Sequence, residues 1–469
     1  RSEEQFVQDG GVLAVETLVG GVTEHYIANL TAGVGDTSPS VRTFLSQTAL
    51  EPILMDRARA LGAEFRFATE MVSFTQDASG VRATLRHRDS GETQTVKAQY
   101  LVAADGAHSR IREALGIRML GHGTFSDSVT IYFRADLRPL VEGKPWAVVY
   151  ANNDKLRGFF RFEKPFDNAF LVVNTVGDPA KPDSNVSTGI TDERALDLVH
   201  IALGTSDIPV KIESMMKWKA TSDYAEHFQQ GRVFITGDAA HVMPPNGGFG
   251  GNTGIQDAHN LAWKLALVLK GQSRPELLET YEPERRPVGE LTIEQAYTRY
   301  VGRTNPTLSR VGMQPPIHEL NIETGYIYRS EGIISENPAD TRVHEHPNES
   351  KGRPGTRAPH MWLERGGQRI STLDLYGNDF VLLTGPGRNG WRDAARAAAN
   401  ATGIALDCKQ VEAAGLSDPS GTFAAAHGIG PTGCVLVRPD GFVAWRAQED
   451  SGELQDQLQT AFRQVTFAR

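Results

Sequence analysis

Residues 244–252, "PPNGGFGGN", place four glycines between an acidic turn, Gly237-Asp238, and a long helical stretch. Gly247, Gly248, Gly250 and Gly251 strip side chains from the approach to that helix, so a flat or bulky ligand can reach the free N–H groups at its start. The same end carries the positive pole of the backbone dipole, which stabilises negative charge. Asp238 follows an apolar run, Arg232 to Thr236, at the end where open α/β sheets bind ligands, and its carboxylate can accept hydrogen bonds from ligand hydroxyls. A turn cap is the alternative role for this residue taken alone. The loop does not have dinucleotide spacing, because Thr253 stands where the third glycine of Gly-x-Gly-x-x-Gly belongs.

A second turn of this kind, Asp105-Gly106, ends the apolar run "QYLVAA" and leads within a few residues to Ser109 and Arg112. Alone it is a common turn. His241, beside the first turn, is expected to be packed or hydrogen-bonded rather than a general base. His344 and His346 have a spacing seen in metal sites, but no further ligand lies near in sequence, so no metal is expected. Cys408 and Cys434 form no Cys-x-x-Cys pair, which excludes a disulfide scaffold and a zinc site.

The elements that must position these residues follow from periodicity. "ALEPILMDRARALG" spaces Leu50, Ile53, Leu54, Ala58 and Leu61 for a helix that stops at Gly62. A small antiparallel meander is expected over "EFRFAT", "MVSFTQ", "GVRATLRHRD" and "TQTVKAQ". Between about 119 and 225, "SVTIYFRAD", "WAVVYAN", "LRGFFRFE" and "AFLVVNTV" read as a separate antiparallel sheet, interrupted by one helix over "DERALDLVHIALG". The helix after the glycine loop is expected to bury the stripe Ile255, Ala258, Ala262, Leu265 and Leu269. Residues 331–358 are polar and proline-rich and read as a linker. Strands and helices alternate after it, with a hairpin at Pro439-Asp440-Gly441.

At 469 residues the chain is long enough for several domains. Its 48 Lys and Arg against 57 Asp and Glu, a net charge of -9, argue against nucleic acid and anionic membrane as partners. No signal peptide or membrane span is evident, and a cytoplasmic location is expected.

"DGAHSRIREALGI" together with "GRVFITGDAAHVMPPNGGFGGNTGIQDAHNLAWKLA" resembles the paired Asp-Gly and Gly-Asp motifs of single-component FAD-dependent aromatic hydroxylases, the para-hydroxybenzoate and phenol hydroxylase type. "FLSQTALEPIL" is similar to that family's stretch around a flavin-contacting glutamine, here Gln47. "YIYRSEGI", "GRPGTRAPH" and "LVRPDGFVAWRA" resemble the branch acting on anthracycline- and angucycline-type polyketides, the aklavinone hydroxylases. This family begins with a strand, a Gly-x-Gly-x-x-Gly turn and a helix, followed by an acidic residue. The chain does not open on that unit and is expected to start roughly 70 residues inside the family pattern, as a fragment or gapped record.

The resemblance implies an α/β fold with α+β elements: an FAD-binding Rossmann-like domain over 1–118 and 226–330, a substrate-binding antiparallel sheet over 119–225, the linker 331–358 and a thioredoxin-like domain over 359–469. It implies an NAD(P)H- and O2-consuming monooxygenase that hydroxylates a phenolic polycyclic aromatic through a flavin C4a-hydroperoxide, working as a monomer or homodimer. FAD would be held by Gln47, Asp105, Gly106, Asp238, Pro245, Gly248, Gly250, Gly251 and Asn252. Pro245 would border the reacting face, Arg329 would favour the phenolate, and Tyr150, Phe159 and Phe160 would form an aromatic floor, with alternate strand positions in the core. The tail, whose Cys434 alone cannot run dithiol chemistry, would be structural. A different flavin oxidation, ring-opening or dehydrogenation, and a flavin-less binding protein are the alternatives.

Overall fold

The computed structural model describes residues 5–387, 390–413, 415–450 and 452–469. Its largest sheet has eight strands, in the spatial order His241–Val242, Lys211–Ala225, Met119–Arg134, Asn168–Val176, Leu156–Glu163, Trp146–Asn152, Gly11–Val15 and Val22–Ile27. Two departures from the expected sheet stand out. Gly11–Val15 and Val22–Ile27, far upstream, complete it, and Gly11–Val15 pairs parallel with Trp146–Asn152. The first residues therefore belong to this sheet as well as to the half that carries the meander.

Strand alternation gives the sheet two faces. Val149, Phe160, Phe162, Leu171 and Val173 pack under the helix Asp192–Leu203, which buries Ala195, Leu198, Val199 and Ala202 against them. Thr191 caps that helix by accepting from the Arg194 amide, and Gly204 ends it in a left-handed conformation with φ 82°. Each large apolar side chain so buried contributes about 1.5–3 kcal/mol. Tyr150 and Phe159, cross-strand partners, lie on the other face with Val12, Ala14 and Val172.

Two short parallel strands, Leu101–Ala103 and Val233–Ile235, set the Asp105 and Asp238 turns side by side. The meander forms over Thr69–Asp77, Gly80–His87 and Thr93–Ala98; "EFRFAT" is irregular or turn for all but its last residue. The helix around Leu50 spans Gln47–Ala60 and is α1 here, but it buries no side chain, and Ile53 and Leu54 are exposed. Two long helices, α2 (Phe249–Leu269) and α3 (Tyr281–Arg303), cross behind the glycine loop.

The stripe expected inside α2 is its outer face. Ile255 and Leu269 are 53% and 48% exposed, whereas Asp257, Asn260 and Lys264 are fully buried. Polar residues occupy the inner face because each finds a charged or hydrogen-bonding partner there, which offsets the cost of burial.

After residue 359 a parallel pair, Phe380–Thr384 and Leu406–Gln410, is joined by Cys434–Val437 and the hairpin strand Val443–Ala447, with Trp391–Thr402 and Leu454–Thr466 packed on one side. This is a thioredoxin-like arrangement. Both cysteines are free, and burial pushes the Cys408 thiol up to about 11 and Cys434 well above its ordinary value, so neither is poised as a thiolate. Residues 331–358 are not a slack linker. Asp340 and Glu345 pair with Arg342 and Arg353, and Ser350 and Thr356 are buried. Among the described residues no helix is long and apolar enough to cross a membrane.

Candidate functional site

The two sequence motifs meet through Arg112. Its buried guanidinium donates to the Ala107 carbonyl at 3.2 Å in one turn and to the Ala239 carbonyl at 2.9 Å in the other. Ser109 caps the short helix Arg110–Ala114 by accepting from the Arg112 amide. Asp105 accepts from the Ser109 hydroxyl and the Ile111 amide, so its carboxylate braces the helix start, and Gly106 turns the chain at φ 84°. Asp238 is exposed and carries no hydrogen bond to a described residue.

Gly247 and Gly248 take φ of 114° and 70°, which lets the loop reverse directly into α2. Gly248 is the N-cap, and no side chain caps the free amides behind it. A Cβ at Gly248 or Gly251 would meet nothing within 4 Å. Asn252 is exposed and donates back to the Gly248 carbonyl at 2.8 Å. Pro244 is buried and Pro245 exposed at the lip of the loop. The helix starts close against the Asp238 turn: a Cβ on Gly254 would lie 3.1 Å from the Gly237 Cα.

Asp257 fixes that approach. Its carboxylate accepts from the Gly237 amide at 3.1 Å and from Arg285 Nε of α3 at 2.7 Å, and His241 Nε2 lies 2.6 Å away. Burial alone would raise this carboxyl; the charges of His241 and Arg285 outweigh it and hold it below the ordinary range. Arg285 also donates to the Tyr328 hydroxyl at 3.0 Å and the Thr253 carbonyl. His241 is thus a hydrogen-bonded structural residue.

Two turns further along α2, Lys264 Nζ donates to Glu284 and Asn260, both at 2.8 Å. Arg438 and Asp440, from the hairpin of the thioredoxin-like part, complete this buried group, and Ser330 donates to Glu284 at 2.6 Å. Burial pushes Lys264 down to about 8, while Arg438 and Lys264 hold Glu284 far below the ordinary carboxylate range against the effect of burial.

The loop is joined to the sheet by a residue the sequence did not single out. Asn246, 1% exposed, donates to the Tyr150 hydroxyl at 3.1 Å and to Thr304 Oγ1, at the end of α3, at 3.2 Å. Tyr26 and Phe159 pack on Tyr150, and the Arg303 guanidinium lies over both tyrosine rings. The two hydrogen bonds of Asn246 join residues 96 and 58 positions apart, so no local pattern announces them.

Two expected substrate residues lie elsewhere. Phe160 is fully buried on the opposite sheet face against Phe133 and Phe162, because it is one residue out of phase with Phe159. Arg329 pairs with Asp340 at 3.4 Å and donates to the Arg342 carbonyl, so it is held in the 331–358 segment rather than beside Tyr150 or Pro245. Gln47 is exposed at the start of α1, bonded to Glu51. A Gly-x-Gly-x-x-Gly spacing does occur, at Gly385, Gly387 and Gly390, after a strand and before a helix. Its first two glycines are packed against the chain's own backbone, since a Cβ at Gly385 or Gly387 would lie 2.4 or 2.7 Å from the Pro431 carbonyl oxygen.

Residues 3–296 match the FAD binding domain family, and residues 351–466 match the C-terminal domain of aromatic-ring hydroxylases. The chain belongs to the FAD-dependent aromatic-ring hydroxylases. It is 47% identical to 4-methyl-5-nitrocatechol 5-monooxygenase of a Burkholderia species over 99% of this chain and 86% of that protein. It is 42% identical to tetracenomycin A2 monooxygenase-dioxygenase of Streptomyces glaucescens, over 91% of this chain and 77% of the other. Aklavinone-11 hydroxylase, solved as a ternary complex with FAD and aklavinone, superposes with a TM-score of 0.90 at 34% identity, covering 98% of this chain and 85% of that one. The hydroxylase is therefore an FAD-dependent monooxygenase.

Its own residues fit the flavin and ribityl half of FAD. The partnerless Asp238, the uncapped start of α2 and the open space over Gly248 and Gly251 are what a hydroxylated chain and a flat ring with developing negative charge require.

Proposed function

We propose that this hydroxylase acts on a phenolic, fused-ring aromatic of polyketide type, with NAD(P)H as reductant. The observation that carries this reading is the bare, uncapped start of α2 facing Tyr150 across Asn246, which sets a ring-binding loop against an aromatic sheet face. Residues 1–118 and 226–330 would form the FAD-binding half, with Gly11–Ile27 lent to the substrate sheet, and 359–469 the structural tail. Bound FAD supplies the redox chemistry, taking electrons from NAD(P)H and activating O2.

The chain's residues bind and orient. Asp238 would accept from the ribityl hydroxyls, and the amides of Gly250, Gly251 and Asn252 would hold the flavin ring. The positive helix end lowers the cost of charge there on reduction. Pro245, which has no N–H to hold water, borders the reacting face and helps keep it dry. Tyr150 and Phe159 give the substrate an aromatic floor. Gln47, Asp105 and Gly106 face the remainder of the cofactor. The catalytic unit is a monomer or homodimer.

A single-ring phenol is the second substrate reading, favoured by the 47% identity to a nitrocatechol monooxygenase. Purified protein should be yellow, and a panel of fused-ring and single-ring phenols separates the two readings by which class stimulates NAD(P)H oxidation. Label from isotopic O2 should appear in the product. No stimulation by any phenol would sink the hydroxylase reading, and a product without the label would mark a dehydrogenation instead.

A further inference from the structure

We propose that the cavity between residues 36–37, 347–360 and the turn Phe423–Ala426 holds the adenosine 2′-phosphate of NADPH and so favours NADPH over NADH; this deepens, and rests on, the reading above that NAD(P)H is the reductant. The cavity has a volume of about 360 Å³. Asp36, Lys351, Arg357 and His360 supply its polar lining, and Ala358, Pro359 and Ala425 are part of its apolar wall.

Two cations stand in it without a counterion. Neither Lys351 nor Arg357 is ion-paired to a carboxylate among the described residues, although the same segment neutralises Arg342 and Arg353 with Asp340 and Glu345. The Arg357 guanidinium donates to the Thr37 carbonyl at 2.9 Å, its single hydrogen bond among the described residues, so most of its five N–H groups are unfilled. Tyr326 and Tyr376 flank it without offsetting its charge, because burial pushes both hydroxyls up and keeps them protonated. Burial, and then the charges of Arg357 and Arg369, push His360 down, so its ring is neutral. Ser371 Oγ accepts from the Leu373 amide and lies 2.8 Å from His360 Nδ1, which is the one acceptor for its proton among the described residues. The ring proton is therefore on Nε2, a buried N–H with no partner.

A guanidinium fork, an ammonium and an imidazole N–H around one cavity are the donor set of a phosphate monoester. Two cations against one carboxylate leave the cavity positive, and Asp36 can accept from the adjoining ribose hydroxyl. The alanine and proline wall suits the adenine ring. The cavity also lies beside the flavin site. Tyr326, next to Arg357, has its ring 5.3 Å from the Arg285 guanidinium, which donates to the Thr253 carbonyl near the start of α2. From Thr37 the chain runs to Arg42, which pairs with Glu323 at 2.7 Å, and the Glu323 carbonyl accepts from Gln256 of α2 at 3.1 Å. An extended dinucleotide anchored by its 2′-phosphate can thus direct its nicotinamide along the 37–47 stretch toward the loop. No bond forms or breaks in the cavity itself.

The test uses the FAD-loaded full chain, with adenosine 2′,5′-bisphosphate and adenosine 5′-monophosphate as probes and calorimetry as the readout. The wild type should bind the bisphosphate about tenfold or more tighter than the monophosphate. Lys351 is exposed and its ammonium has no partner among the described residues, so Lys351→Met should keep the fold and the FAD. It should weaken the bisphosphate about fivefold or more and leave the monophosphate within about twofold. The preference for NADPH over NADH in kcat/KM should fall by the same factor, and Lys351→Arg should recover it. Equal binding of the two probes by the wild type, unchanged bisphosphate binding in Lys351→Met, or equal losses for both probes would each overturn the site. Bisphosphate binding without oxidation of either dinucleotide beside any phenol would overturn the reductant reading instead, and the assignment to NADPH with it.

Discussion

Arg438 and Glu284 form a two-pronged ion pair at 2.7 and 2.8 Å, with neither side chain accessible to solvent, although they lie 154 positions apart. The pair brings the hairpin of the thioredoxin-like part beneath the helix that starts at the flavin loop. Arg438→Met would leave Glu284 with Lys264 as its one cation and Asp440 without its own. Breaking one partner of a buried pair costs about 3–5 kcal/mol. Urea unfolding of the FAD-loaded chain should show a loss of that order, and a loss within experimental error would mean the network does not hold the two parts together.

Gly251 separates binding from folding. Its Cβ position is open and lies in the first turn of α2 without a left-handed backbone, so Gly251→Leu is tolerated by the fold and favoured by helix propensity by roughly 0.8 kcal/mol. The same side chain would occupy the space assigned to the flavin. Unfolding stability without FAD should be unchanged or higher, while FAD affinity drops by about tenfold or more, a clash of at least ~1.4 kcal/mol. Undiminished FAD binding would remove the flavin ring from this loop.

Asp238 is exposed and its side chain has no hydrogen bond or ion pair to a described residue, so Asp238→Ala should leave the stability of the FAD-free chain within about 0.5 kcal/mol of wild type. Loss of a charge-assisted hydrogen bond to a ribityl hydroxyl, about 1.5–3 kcal/mol, should appear only in the FAD dissociation constant, measured by fluorescence quenching. A fall in stability with no change in affinity would return Asp238 to a turn cap.

His427 makes the thioredoxin-like part acid-sensitive. Burial pushes its pKa down from 6.5 to about 4; Nδ1 lies 2.9 Å from the Phe423 carbonyl oxygen, and Nε2 is buried without a partner. The unfolded chain takes up a proton below its ordinary value and the folded chain does not, so stability is fully present above pH 6.5 and falls as pH drops toward 4. At 1.36 kcal/mol per pH unit the loss amounts to about 3 kcal/mol. Unfolding measured from neutral pH to 4.5 in wild type and His427→Gln should show a shallower slope in the variant; parallel slopes would exclude His427 as the cause.

Much of the site could be read from local spacing, because the Asp105 and Asp238 turns and the glycine loop are each contiguous in sequence and belong to strand-to-helix junctions. Inside and outside were harder to read. The apolar stripe of α2 points outward, since the polar residues Asp257, Asn260 and Lys264 are buried by virtue of partners on α3 and in the C-terminal hairpin, which periodicity does not register. Phe159 and Phe160 were indistinguishable until strand register set the phase. Arg329 carried a motif resemblance, while the cation beside Tyr150, Arg303, sits at the end of a helix with nothing in its local sequence to mark it.

The buried cluster beneath α2 also bears on the order in which the molecule is made. Lys264 and Glu284 leave the ribosome well before Arg438 and Asp440 exist to complete their group, and a buried ion pair is stable only when further hydrogen bonds satisfy its remaining lone pairs and protons. The nascent chain can form its sheet early, but the helix that starts at the flavin loop is not locked until Arg438 and Asp440 have been made. Stable cofactor loading should therefore wait for the C-terminal hairpin, and a product stopped short of residue 438 should emerge colourless.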